Sequence, residues 1–127
     1  MDASPLRIDR LSRARALFAG LARAPGEVAG VAYLDPDGRV LGLRVIAGDA
    51  DQVTVPPRTL TLDALAFGAA GVIVAHNHPG GDAAPSRHDL DHTRSLAQAL
   101  ALVDVRLVDH LIVTDSTMTS LRAMGVV

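Results

Sequence analysis

The chain has 127 residues, of which 49% are hydrophobic and only 2% aromatic. This length and composition suit one domain whose core is built from Val, Leu, Ile and Ala side chains. There is no cysteine, which excludes disulfides and thiolate metal sites and leads us to expect a cytoplasmic protein. A net charge of −2 gives no overall attraction to a polyanion. No apolar stretch approaches the roughly 20 residues that a membrane span requires, so we expect no membrane association.

Helical and strand patterns alternate along the chain. Ser4-Pro5 predicts a helix start, and Asp35-Pro36-Asp37-Gly38 predicts a tight turn between two strands. In chain order the patterns predict a helix at 4–22, strands at 28–34 and 40–46, a helix at 56–68, a strand at 71–75, a helix at 86–103 and a strand at 105–113. The tail at 117–127 fits either a short helix or a strand. This order predicts one α/β sandwich with helices packed against a mixed sheet.

Arginine supplies all twelve basic residues, and several of them cluster near the N-terminus: Arg7, Arg10, Arg13 and Arg15. The pattern favours the solvated face of the leading helix. A patch that binds nucleic acid is the alternative, and it would make binding to a duplex dependent on salt.

The pair His76 and His78 is the strongest sign of chemistry in the chain. A wholly apolar run at 71–75 predicts a buried strand that delivers His76 at its end. Residues two apart on an extended segment share one face, so both imidazoles can reach one metal ion. The alternative is a pair of loop histidines, each hydrogen-bonded to a nearby carbonyl.

Ser86 and Asp89 follow at the start of the next predicted helix. Their spacing is that of a capping box, in which each side chain bonds the other residue's amide. Asp89 also begins a helical stripe with Thr93, Leu96 and Leu100, which predicts that its carboxylate faces the core. A buried carboxylate requires a cation or several donors. Two histidines, a carboxylate and a hydroxyl are enough for a hydrolytic metal site with one position open to water.

Three further histidines have other predicted roles. His88 and His92 stand four apart on the helix and could chelate a metal, but their stripe differs from that of Asp89 and favours a surface location. His110 follows Asp109 in a strand with a central pattern. We expect it to be a hydrogen-bonded core or rim histidine.

Taken together, His76-x-His78, seven intervening residues and Ser86-x-x-Asp89 resemble the JAMM signature of the JAB/MPN metalloproteins. The run HNHPGGDAAPSRHDLDHTRSL followed by VDHLIV is similar to the bacterial RadC-type branch. The resemblance covers most of the chain from about Glu27 onward. It implies a single-domain, cytidine-deaminase-like α/β sandwich of the JAB/MPN type at 25–127, preceded by an N-terminal helical segment at 1–24.

The resemblance also implies a function and a role for each residue. His76, His78 and Asp89 would bind one zinc ion per chain, and Ser86 would hydrogen-bond the water or the oxyanion. Glu27 matches the upstream glutamate that acts as general acid and base. The implied activity is hydrolysis of a peptide or isopeptide bond, with a protein or peptide as substrate. The alternative is a DNA-repair-associated or non-catalytic accessory protein; a homo-oligomer fits either interpretation.

Overall fold

The computed structural model describes residues 7–8, 11–48 and 54–127. Its described strands form one five-stranded sheet in the order β2-β1-β3-β4-β5. The strands are β1 Val28–Leu34, β2 Val40–Ala47, β3 Gly71–Asn77, β4 Arg106–Val113 and β5 Met118–Ser120. β3 and β4 are parallel, and the other neighbours are antiparallel. The predicted mixed sheet is therefore confirmed, and the tail contains the short strand β5.

Helices cover both faces of the sheet, as the α/β sandwich requires. They are α1 Leu11–Phe18, which continues as a 3-10 helix at Ala19–Arg23, α2 Pro57–Phe67 and α3 Arg87–Ala101. One core lies between the sheet and α2 and α3, where Leu60 and Leu96 are buried. A second core lies beneath α1, where Phe18 is buried. None of the helices in the described ranges is long and apolar enough to cross a membrane.

The predicted start of the first helix was wrong. Arg7 is not helical; it forms an isolated bridge with Arg39, and the amide of Ile8 donates to the Gly38 carbonyl at 2.7 Å. This tertiary contact with the turn between β1 and β2 outweighs the local helix signal, and the helix begins at Leu11. Ser4, Pro5 and Arg10 lie outside the described residues. The described arginines of the cluster, Arg7, Arg13 and Arg15, are exposed.

β3 is longer than predicted, and this extension places the site. The strand was expected to end at Ala75, but His76 and Asn77 continue the parallel ladder opposite Ile112 and Val113. The amide of His78 then donates to the Val113 carbonyl at 3.2 Å. The whole His-Asn-His segment is therefore held as extended backbone, which keeps the two histidines on one face.

A bulge in β4 changes which residues face α3. Val72 pairs with Leu107 and Ile73 with Asp109, so Val108 is an extra residue in β4. Leu107 belongs to the core under α2 and α3, whereas Leu111 belongs to the core under α1. Because a bulge shifts the alternation of side chains by one residue, His110 faces α3 instead of α1.

Candidate metal centre

His76 of β3 and His78, the first residue after the strand, converge at this end of the sheet. Their Nε2 atoms are 3.0 Å apart. His76 is buried with 4% of its surface exposed, and His78 is partly buried. The loop after β3 orients His78, because its Nδ1 lies 2.7 Å from the Asp82 carbonyl. Since a carbonyl only accepts hydrogen bonds, His78 carries its hydrogen on Nδ1, and in the neutral ring the Nε2 lone pair faces His76.

The first turn of α3 brings Asp89 to both histidines. Its Oδ1 lies 3.2 Å from Nε2 of His76, and its Oδ2 lies 3.2 Å from Nε2 of His78. Burial alone would raise the pKa of Asp89, but its contact with the His76 ring and the hydrogen bond from the Ser86 amide outweigh burial and hold this pKa well below its ordinary value. Asp89 is therefore a carboxylate at neutral pH.

Asp89 also forms the predicted capping box with Ser86. The Ser86 amide donates to Oδ2 of Asp89 at 2.8 Å, and the Asp89 amide donates to Oγ of Ser86 at 3.0 Å. Capping and contact with the histidines had appeared to be competing interpretations of this residue. Both occur at once, because a carboxylate has enough lone pairs to accept from an amide and also to bind a cation shared with the two imidazoles. Ser86 lies next to Asp89, and its side chain takes part in the cap.

Glu27 lies close to the histidines, directly before β1. Its Oε1 is 3.9 Å from Nε2 of His78. Glu27, His76 and His78 each offer an atom that could bind a metal, and these atoms all lie within 4.8 Å of one another. Glu27 is therefore close enough to ligate an ion itself or to act on a group bound beside it.

Asn77, the residue between the two histidines, holds the segment that carries Glu27. Its side chain points to the opposite face of β3 and is buried, with 1% exposed. Oδ1 accepts from the Val28 amide at 2.8 Å, and Nδ2 donates to the Gly26 carbonyl at 3.0 Å. One buried amide thus clamps the chain on both sides of Glu27.

The spacing of the donor atoms fits a tetrahedral zinc ion. Zinc bonds of about 2.0–2.1 Å at tetrahedral angles place neighbouring ligand atoms about 3.3 Å apart. The two Nε2 atoms are 3.0 Å apart, and each lies 3.2 Å from a different oxygen of Asp89, Oδ1 for His76 and Oδ2 for His78. Two imidazole lone pairs this close repel each other unless a proton or a cation lies between them. Nitrogen and carboxylate ligands are also the set that zinc accepts where cysteine is absent.

Residues 8–126 match the RadC-like JAB domain family. The chain belongs to this family. The match confirms the resemblance drawn from the two motifs, and it includes the N-terminal helix α1 as well as the sheet.

Curated relatives of this RadC-like domain are named UPF0758 protein. The one from Polaromonas sp. is 44% identical over 102 residues, which cover 80% of this chain and 46% of the relative. The one from Azotobacter vinelandii is 46% identical over 110 residues, covering 86% and 49%. The one from Halorhodospira halophila is 45% identical over 117 residues, covering 91% and 52%. The chain thus spans about half the length of the curated relatives it matches.

The sequence singled out histidines and acids that lie together in the RadC-like domain, but it did not indicate the residues that support them. Asn77 was passed over, although its position between two histidines of a strand indicates that it faces the opposite side. Thr93 was noted only as a member of the inward stripe. His110 was expected to be a hydrogen-bonded core or rim histidine, and it is buried. Its contact is with His76, because His110 Nε2 lies 2.7 Å from His76 Nδ1.

Asp109, which precedes His110, has a structural role. Its Oδ1 accepts from the amides of His110 and Arg122, at 2.7 and 3.0 Å, and its Oδ2 accepts from the Ser120 hydroxyl at 2.6 Å. These bonds fasten β5 and the following turn to β4. The neighbouring Asp and His therefore serve different parts of the molecule.

Proposed function

We propose that this RadC-like domain is a zinc-dependent hydrolase of the JAMM type that cleaves a peptide or isopeptide bond. The proposal depends chiefly on one observation. Nε2 of His76 and Nε2 of His78 are 3.0 Å apart and each lies 3.2 Å from an oxygen of the Asp89 carboxylate, with the Glu27 carboxylate 3.9 Å from His78. Family membership supports the same reaction class, and the amide substrate comes from the resemblance to JAMM proteins.

The ligands would be His76, His78 and Asp89, and Glu27 would stay outside the ligand set. The three short distances suit neighbouring ligands of one tetrahedral ion. The distance of 3.9 Å from Glu27 to His78 is longer than such an edge, and it suits a carboxylate that bonds to a water beside the ion. A zinc ion in this position would polarise the substrate carbonyl and lower the pKa of water to about 7.

Glu27 and Ser86 would perform the remaining steps. Glu27 would take a proton from the attacking water at its carboxylate and pass it to the leaving amine. The Ser86 oxygen already accepts from the Asp89 amide, so its hydroxyl hydrogen can be donated to the oxygen of the substrate carbonyl, where negative charge develops. The clamp formed by Asn77 keeps Glu27 in place for both transfers.

The test combines metal analysis with a screen of peptide and isopeptide substrates. We expect about one zinc per chain in the purified protein. Glu27→Gln should retain the zinc and lose hydrolysis by about 10²- to 10⁴-fold, the usual contribution of a general base. Full activity in Glu27→Gln would remove Glu27 from the mechanism. Loss of zinc in this variant would make Glu27 a ligand instead.

The competing proposal is a non-catalytic or DNA-associated accessory protein. It predicts zinc binding without hydrolysis of any substrate in the screen. Its DNA form further predicts duplex binding that weakens as salt increases, through the exposed Arg13 and Arg15. Absence of duplex binding at low salt would reject the DNA form.

A further inference from the structure

A buried chain of hydrogen bonds runs behind the proposed metal ligands. His76 Nδ1 lies 2.7 Å from His110 Nε2, and His110 Nδ1 lies 2.6 Å from Thr93 Oγ1. The Thr93 hydroxyl in turn donates to the Asp89 carbonyl at 2.6 Å. Thr93 is fully buried, and His110 is 2% exposed. This series of hydrogen bonds thus starts at one proposed ligand, passes through His110 of β4 and Thr93 of α3, and ends on the backbone of another proposed ligand.

The direction of each hydrogen bond follows from the last acceptor. A backbone carbonyl only accepts, so the single hydroxyl hydrogen of Thr93 points to Asp89. The Thr93 oxygen must then accept the hydrogen on Nδ1 of His110. The His110 ring is buried between the Thr93 hydroxyl and another imidazole, and an unpaired charge there would be costly, so the ring is neutral and its Nε2 is an acceptor. His76 therefore donates from Nδ1 and keeps its Nε2 lone pair for the site.

This series of hydrogen bonds orients the groups that it joins and does not conduct protons. A proton wire must end at a group that can be protonated, and an amide carbonyl is not such a group at neutral pH. The same bonds connect the side chain of His76 with the backbone of Asp89, so they also fix the first turn of α3 relative to β3. The bulge at Val108 is what turns His110 into this position.

We propose that Thr93 and His110 are positioning residues that hold His76 in the tautomer with a free Nε2 and keep Asp89 in register with it, and that they thereby set the affinity of the site for zinc. This inference rests on the proposed function only in taking zinc as the ion that is bound. Partners of this kind, behind the ligands, typically change metal affinity by about 10- to 100-fold when they are removed.

The first test measures zinc affinity by competition with a chelator on the full chain. His110→Phe and Thr93→Val should each bind zinc about 10- to 100-fold more weakly, whereas Thr93→Ser keeps the hydroxyl and should bind nearly as tightly as the native chain. Thr61→Val is the matched control, because Thr61 makes the same bond to a carbonyl four residues earlier, at Pro57, on α2. His92→Phe is the control for His110. Native affinity in both His110→Phe and Thr93→Val would overturn the proposal.

The second test reads the tautomer directly, and its deciding result comes from the native chain. Nitrogen NMR of the metal-free native chain should show His76 with its hydrogen on Nδ1, and Thr93→Val should show a mixture of tautomers. Hydrogen on Nε2 of His76 in the native chain would overturn the proposal even if the variants failed to fold. A purely structural role for Thr93 would lower stability without moving this signal.

The outcomes separate this inference from the proposed function. Tight zinc binding with no hydrolysis would reject the hydrolase and leave the positioning role intact. Hydrolysis by the native chain, with native zinc affinity in both His110→Phe and Thr93→Val, would support the hydrolase and reject the positioning role. A native chain that binds no zinc would overturn both, since there would be no affinity for Thr93 and His110 to set.

Discussion

Two histidine pairs lie close to each other in this domain, and they differ in what holds them. His76 and His78, at the end of β3 and just beyond it, direct their Nε2 atoms toward one carboxylate, and both Nδ1 atoms have hydrogen-bond partners. His88 and His92 on α3 stack with nearly parallel rings, at 7° and with centroids 5.7 Å apart. His92 Nε2 is buried and has no hydrogen-bond partner among the described residues.

The difference indicates that a suitable spacing alone does not make two histidines a candidate metal site. The strand pair has a carboxylate within 3.2 Å of each ring and hydrogen bonds that determine which nitrogen carries the lone pair. No third histidine or carboxylate of the described residues groups with His88 and His92 as a candidate metal site. Within the described residues, the two pairs therefore differ in two ways. Only His76 and His78 have a carboxylate beside both rings and hydrogen bonds that direct their Nε2 lone pairs into one space.

Substituting one histidine of each pair in turn should give the largest difference in zinc binding. His78→Ala removes a proposed direct ligand, and we expect zinc affinity to fall by more than about 100-fold, since loss of an outer partner alone costs about 10- to 100-fold. His92→Ala should leave one zinc per chain. Metal analysis after dialysis against a weak chelator would measure both. Zinc loss in His92→Ala with retention in His78→Ala would move the site to α3.

Removing the Asp89 carboxylate should leave His76 and His78 without a nearby third ligand, as His88 and His92 are among the described residues. Asp89→Ala leaves two histidines without a third ligand, so we expect zinc affinity to fall to the range of His78→Ala. Loss of the cap should also lower the free energy of unfolding by about 1 kcal/mol.

Ser86→Ala is the matched control for Asp89→Ala. It removes the hydroxyl of the same capping box and should cost about 1 kcal/mol of stability as well, but zinc affinity should stay near that of the native chain. Zinc titration and urea denaturation would measure the two quantities. An equal loss of zinc in both variants would mean that the cap, and not the carboxylate, controls the site.

The proposed ligands could be predicted because their signals are local. The alternation of a strand places His76 and His78 on one face, and one helical turn places Ser86 beside Asp89. The sandwich fold followed from the order of apolar patterns in the same way. Glu27 was different, since only the family resemblance selected it.

Contacts between distant segments could not be predicted. A bulge has no signature in the apolar run of β4, so the turn of His110 toward α3 was not foreseen. Asn77 bonds to Val28, which lies 49 residues earlier, and pattern analysis of one sequence does not pair such residues. The error at Arg7 has the same cause, because a bridge to Arg39 replaced a locally favoured helix.

The smallest expected effect concerns the pH dependence of the helix pair. Burial, followed by repulsion from His88, lowers the pKa of His92. The folded state therefore favours the neutral ring. The contribution of the neutral His92 ring to the free energy of unfolding is complete above the ordinary histidine pKa of about 6.5. This contribution is lost as the pH falls toward the lower pKa that His92 has in the folded state. His92→Gln has no charge to gain, so its melting temperature should fall less between pH 7.5 and pH 5 than that of the native chain under the same zinc conditions. An equal fall in both proteins would mean that protonation of His92 does not lower the stability of the folded state.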